Sequence, residues 1–234
     1  MLVFTSEQRY KRTRLVLSMQ NKIICVIGPK RSGKTRKVSE MVKTLPRVAV
    51  FDMMKDSQYI ADAAIIRGNP EDFAKCITPD REEFQVIYHP TIIKLNDKGL
   101  VDAPSFEPIL KLCHLRGQMY FVIDEAHLLC NSRNCPSELM MASYVGGHKA
   151  FSMILIAQSF TGIHPIVRRN ADELILWRII EPADLEGIRE RCGRDVEEQV
   201  RQLRAVELDD NDEFKAPGQM LHWSKSKGVI EVTG

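Results

Sequence analysis

The eight residues Gly28-Pro29-Lys30-Arg31-Ser32-Gly33-Lys34-Thr35 constrain this chain more than any other segment. They satisfy the spacing G-x-x-x-x-G-K-[ST]. They also follow directly on the apolar run "KIICVIG" (22–28), which ends at a glycine and reads as a buried parallel strand. Beyond them Val38, Met41, Val42 and Leu45 recur at helical spacing until Pro46 stops the pattern. Strand, glycine-bounded loop and helix in that order form an anion cradle. Gly28 and Gly33 permit backbone angles that side chains forbid, so the loop Gly28, Pro29, Lys30, Arg31, Ser32, Gly33, Lys34 and Thr35 can converge its N–H groups, all but that of Pro29, which has none, on phosphate oxygens. The helix then points its positive end at the same anion. Lys34 offers a point charge to the β- and γ-phosphates, and the Thr35 hydroxyl is a ligand for Mg²⁺. The expected ligand is ATP with Mg²⁺.

The rest of the chain repeats the alternation of short apolar runs with helical stripes. Further strands are expected at 47–54, 84–90, 118–127, 151–159 and 172–178. Helices are expected around Phe106–Cys113, over Ser137 to about Val145, at Pro182–Cys192 and from Asp195 to about Val206. The segment 91–104 reads as an irregular loop. The tail 218–232 reads as a hairpin around the polar turn "SKSKG". Strands alternating with helices predict an α/β fold: a mainly parallel central sheet flanked by helices, with a small C-terminal β-hairpin. The expected division is a basic arm over 1–20, a P-loop NTPase core over 21–208 and the tail over 209–234.

Two further strand ends carry chemistry. The run "MYFVIDEAH" places Asp124 and Glu125 directly after four or more apolar residues, and a carboxylate there is costly unless it faces a cation or water. Beside a phosphate loop the economical explanation is Mg²⁺. Asp124 is expected to hold the ion through water, and Glu125 to polarise the attacking water as general base. His127 reads as a packing or hydrogen-bonding residue. The run "ILIAQS" ends in Gln158 at the carboxyl edge of the sheet, where ligands bind in open α/β folds. From there it can sense the γ-phosphate or the attacking water. Arg168, Arg169 and Arg178 follow. Any of them could serve a neighbour's γ-phosphate as an arginine finger, or could equally be a surface or salt-bridged residue.

Charge narrows the partners. With 33 basic and 31 acidic residues the net charge is +2, so no bulk cationic field announces nucleic acid, and any DNA contact must come from local patches. One is the N-terminal cluster of Arg9, Lys11, Arg12 and Arg14, either a solvated arm or a phosphate- or partner-contacting one. No segment has the apolar length to span a bilayer and no signal-peptide core is present, so a cytoplasmic location is expected. The six cysteines show no tight pairing pattern. Cys130 and Cys135 lie near His127, but their spacing is not that of a zinc knuckle and no second pair follows.

Three blocks together resemble the FtsK–HerA superfamily of ring-forming DNA-pumping ATPases. They are "IGPKRSGKT", "YFVIDEAH" and "GGHKAFSMILIAQSFTGIHPIVRRNADELILWRIIEPADLEGI". The chain is most similar to the compact viral branch, the genome-packaging ATPases of tailless internal-membrane phages and related archaeal viruses. The resemblance spans roughly residues 20–192, and its third block discriminates, since the first is shared by every P-loop class. It implies a RecA-like core, a homo-oligomeric ring, a hexamer in this superfamily, and double-stranded DNA as the moved substrate. It further implies capsid portal or vertex proteins as partners, in the host cytoplasm or at a virion vertex. Lys34, Thr35, Asp124, Glu125 and Gln158 map onto the family's motifs. One departure matters. Family members carry an arginine just before the fifth strand, where this chain has Gly147, His148 and Lys149, and a lysine lacks the forked geometry of arginine. Other readings compatible with the motifs are a filamentous-phage-type assembly ATPase, which usually bears a membrane segment, and a nucleotide-dependent assembly module that moves no DNA. A small-molecule kinase would need an Arg-rich lid, which 160–234 does not offer.

Overall fold

The computed structural model describes residues 21–55, 59–95, 101–145, 149–208 and 214–234. The arm expected over 1–20 lies outside the described residues, as do Gly147 and His148. The apolar run before the loop forms β1 (Ile23–Ile27), buried along its whole length. Its residues alternate between two cores: Ile23, Cys25 and Ile27 enter one, Ile24 and Val26 the other. Because both faces are covered, the run carries no polar alternation.

The chain continues through α1 (Lys34–Val42), β2 (Arg47–Phe51), β3 (Ala64–Arg67), α2 (Pro70–Cys76) and β4 (Phe84–His89). A short pair, β5 (Lys94–Leu95) and β6 (Val101–Asp102), precedes α3 (Phe106–Arg116), β7 (Met119–Ile123), α4 (Ala126–Leu129) and α5 (Ser137–Val145). Next come β8 (Phe151–Ala157), α6 (Pro165–Asn170), β9 (Glu173–Trp177), α7 (Pro182–Cys192) and α8 (Arg194–Gln202). A second short pair, β10 (Glu207–Leu208) and β11 (Phe214–Ala216), leads to β12 (Met220–Ser224) and β13 (Gly228–Thr233).

Nine strands form one sheet in the order β13-β12-β9-β1-β8-β7-β2-β4-β3. The seven from β9 to β3 are mutually parallel. β12 and β13 join antiparallel through β9. On one face α1 buries Val38 and Val42 against Val26, Val50, Val122 and Ile154. On the other, Phe106, Ile109 and Leu110 of α3, Leu139 of α5, Val167 of α6 and Ile188 of α7 share a core with the opposite side chains of the same strands. This is the expected α/β architecture. The region 91–104, expected to be irregular, contains the β5–β6 pair. The predicted hairpin is present and continuous with the main sheet, since β12 pairs with β9 over five residue pairs from Met220–Trp177 to Ser224–Glu173.

The topology positions the chemistry. β8 lies between β1 and β7, so the carboxyl ends of these three strands are neighbours. The phosphate loop follows the first, Gln158 the second and the Asp124–Glu125 pair the third.

Candidate active site

The loop after β1 folds back on itself through Ser32 N–H, which donates to the Pro29 carbonyl at 3.3 Å. Arg31 and Gly33 both lie at positive φ, 64° and 98°. Gly28 has no room for a side chain, because a Cβ there would stand 2.8 Å from both Ser32 Oγ and Trp177 Cβ. Ser32 is buried with its hydroxyl unpartnered. Pro29, Lys30 and Arg31 form the exposed shoulder of the loop, and Thr35 is half-buried in the first turn of α1. Lys34 is buried, and its Nζ donates to the carbonyls of Gly28 at 2.8 Å and Pro29 at 2.7 Å. Burial lowers its pKa, with the Glu125 and Asp124 carboxylates opposing that shift. A buried lysine held by two backbone carbonyls, a buried hydroxyl with no partner among the described residues and a loop with no room for a side chain at Gly28 fit a phosphate chain.

Asp124 is buried at the end of β7 and takes the Glu125 backbone N–H at 3.0 Å. Burial pushes its carboxyl up to about 6, with Asp52 and Glu125 adding to the rise and Tyr59 opposing it. Glu125 stands at φ 46°, ψ 45°, the left-handed region, as the cap of α4. Gln158 Nε2 donates to both of its carboxylate oxygens at 3.2 Å, joining β8 to β7 across the site. His127 Nδ1 lies 3.3 Å from Glu125 Oε2. Burial lowers the His127 pKa, with the Glu125 carboxylate opposing that shift. Among the described residues no group of three His, Cys, Asp or Glu side chains is placed to hold a metal alone. Thr35 and Asp124 suit instead an ion shared with substrate phosphates, the usual habit of Mg²⁺.

The segment after Gln158 is pinned by Asp184 of α7. This buried carboxylate accepts from Ser159 Oγ, Phe160 N, Thr161 N and Thr161 Oγ1 at 2.6–3.1 Å. Gln158 is thereby held at the sheet edge.

The structure does not bring every predicted residue to this centre. Arg168 is half-buried on α6, its guanidinium 5.1 Å over the Phe160 ring, and burial lowers its pKa with the Asp184 charge opposing. Arg169 is exposed on the same helix. Arg178 is exposed, with Nε 3.4 Å from the Arg201 carbonyl. It lines a cleft of about 500 Å³ beside the loop shoulder, together with Lys30, Trp177 and Arg204. Lys149 precedes β8 at the amino edge, and seven strand residues, about 20 Å, separate it from Gln158 within the chain. The fold brings the Cys130 and Cys135 sulfurs within 3.2 Å as free thiols, a proximity that their spacing had not suggested. Trp177 and Asp52 were also missed as neighbours of the site. For Asp52 a signal existed, since it follows an apolar run just as Asp124 does.

No protein-family model matches the sequence, and no curated protein sequence matches it. Solved structures do. The genome packaging NTPase B204 from Sulfolobus turreted icosahedral virus 2, in complex with AMP, superposes with a TM-score of 0.68 at 18% identity, covering 92% of this chain and 97% of that one. B204, the DNA-packaging ATPase from Sulfolobus turreted icosahedral virus, gives 0.68 at 19% identity, with 92% and 98% covered. EssC (ATPases 2 and 3) from Geobacillus thermodenitrificans gives 0.50 at 13% identity, and there this chain spans 91% of itself but 39% of the neighbour. The shared property is the fold: a RecA-like P-loop NTPase domain.

Proposed function

We propose that this chain is an ATPase of the FtsK–HerA superfamily, a motor that moves double-stranded DNA and packages a viral genome into a preformed capsid. The observation that carries the reading is the joining of three strand ends, where Gln158 grips the Glu125 carboxylate beside a loop whose buried lysine is held by two backbone carbonyls. The likeness of fold to B204, over nearly the full length of both chains, supports the packaging role.

In this reading the loop N–H groups and Lys34 bind the triphosphate, Lys34 exchanging the Gly28 and Pro29 carbonyls for phosphate oxygens. Thr35 and Asp124 would hold Mg²⁺, which would supply charge neutralisation on those phosphates. Glu125 takes the proton of the attacking water as the γ-phosphoryl group leaves ADP. Gln158 holds Glu125 in place and links its position to the loop after β8, which Asp184 pins. Trans-acting arginines belong to the ring interface, with Arg169 and Arg178 exposed for that role and Arg168 packed within its own subunit.

Ring formation draws support from the two edges of the sheet. The β3 side exposes Ile65, Ile92 and Ile93, and the β13 edge exposes Val229, Ile230 and Val232. Two different apolar edges suit head-to-tail contacts, which form a ring where the rotation between subunits closes.

The test is the ATPase rate with and without double-stranded DNA at low salt, read beside the mass in solution and repeated with procapsids. The rate should rise with DNA in the assembled state, show no sequence preference and fall steeply with salt through counterion release. If DNA of any length changes neither rate nor assembly and no binding appears at low salt, translocation gives way to an assembly module that binds ATP without moving DNA.

A further inference from the structure

Three strand ends line up beside the phosphate loop. Phe51 pairs with Ile123 on one side and Tyr88 on the other, and all three face the core remote from α1. The residue after each faces the α1 side, where Val50, Val122 and Ile87 also point. Those residues are Asp52, Asp124 and His89. The backbone ladder continues past the strand ends, with Asp124 N donating to Phe51 O at 3.1 Å and Asp52 N to Tyr88 O at 3.0 Å. Asp124, Asp52 and His89 therefore stand in a row at one level of the sheet.

Asp52 is fully buried and His89 nearly so. Asp52 Oδ1 accepts the Lys55 N–H at 2.9 Å, and Lys55 itself sits at φ 59°. A left-handed lysine is strained backbone, and here it brings a donor onto this one carboxylate oxygen. Asp52 Oδ2 lies 3.2 Å from His89 Nε2, but the two are not aligned as a hydrogen bond, and among the described residues neither atom has another hydrogen-bond partner. A second buried carboxylate, with one oxygen tied down and the other unpartnered, thus stands next to the carboxylate assigned to the metal.

We propose that Asp52, oriented by His89 and the Lys55 N–H, is a positioning residue of the metal–nucleotide site. It acts through Asp124. Its charge, one strand away from Asp124, strengthens cation binding there. The inference rests on the reading of Asp124 as the metal-side carboxylate.

The test titrates Mn²⁺ into the full chain with a non-hydrolysable ATP analogue, following free Mn²⁺ by electron paramagnetic resonance, with D124N as reference. D52N should bind Mn²⁺ about tenfold more weakly while its nucleotide affinity in EDTA stays unchanged. A lowered melting temperature with native Mn²⁺ affinity means that the Asp52–His89 pair only braces the turn, and overturns the proposal. If D52N does not fold, H89Q carries the test, with a weakened Mn²⁺ affinity expected and an unchanged affinity overturning the proposal. If D124N weakens Mn²⁺ and D52N does not, this inference alone fails. If D124N binds Mn²⁺ as the native chain does, the reading of the site fails with it.

Discussion

Glu125 holds a backbone conformation that a non-glycine residue adopts at a penalty of roughly 1–3 kcal/mol. The penalty turns the side chain back toward Gln158 and starts α4 within one residue of β7. In the proposed mechanism Glu125→Gln keeps the shape and the metal-side carboxylate but loses the base. It should retain ATP while turnover falls by about 10²-fold or more, measured as phosphate release beside fluorescent-nucleotide binding. Native turnover in that variant would remove Glu125 from the mechanism. Asp124 carries a different tension. Its carboxyl moves from 3.8 to about 6 on folding, chiefly through burial. That shift corresponds to about 3 kcal/mol. Because the folded value is the higher one, the group favours the folded state below pH ~4, and this contribution is lost as pH rises through ~6. At pH 8 the buried charge opposes folding. Asp124→Asn should therefore raise the melting temperature of the metal-free chain by several degrees at pH 8 and change little near pH 4. A lower melting temperature at pH 8 would contradict this account.

At the scale of elements, the loop and its two flanking strand ends form one unit, because β1 and β7 both pair with β8. Gly28 is where the unit is tightest. Gly28→Ala places a methyl group against Ser32 Oγ and Trp177 Cβ, so either the loop or β9 must shift. Overpacking of this kind amounts to roughly 1–3 kcal/mol. ATP affinity should drop at least tenfold in a titration of fluorescent nucleotide, with circular dichroism unchanged. Native affinity would mean that the loop relaxes at no expense. The elements that sequence reading missed are those with little to bury. β3 is an edge strand with three of its four residues exposed, and α2 buries only Phe73. Neither has an apolar period. The caps of α2 were legible all the same: Asn69 accepts from Glu71 N, Pro70 opens the helix, and two carboxylates follow in its first turn.

For the whole molecule the proposed ring turns on what a neighbouring subunit would supply. Arg168 and Arg169 are adjacent in sequence and unlike in setting. Arg168→Ala should lower the melting temperature, because the guanidinium over Phe160 is lost, whatever its effect on rate. Arg169→Ala should leave stability unchanged, the residue being exposed. If Arg169 acts across the interface, its alanine variant mixed with Glu125→Gln chains should recover part of the ATPase activity, since some interfaces then pair an intact base with an intact arginine. Strictly additive activity in the mixture, or full activity of a dilute monomer, would place the site within one subunit.

The sequence alone determined the buried strands, the loop and the chemical types at their ends. Long apolar runs buried on both faces leave an unmistakable pattern, and a charge or glycine at their end stands out against it. Lys34, Thr35, Asp124, Glu125 and Gln158 stand out in the sequence for that reason, and the fold brings their strand ends together. Strand order, register and burial were decided only in three dimensions. That β8 enters between β1 and β7 is what lets Gln158 reach Glu125, and no periodicity encodes it. Register alone sets Asp52 and His89 level with Asp124. Packing alone commits Arg168 to Phe160 and brings the Cys130 and Cys135 thiols together. Such facts depend on contacts between residues far apart in the chain, or on the path of a turn, and a one-dimensional pattern holds neither.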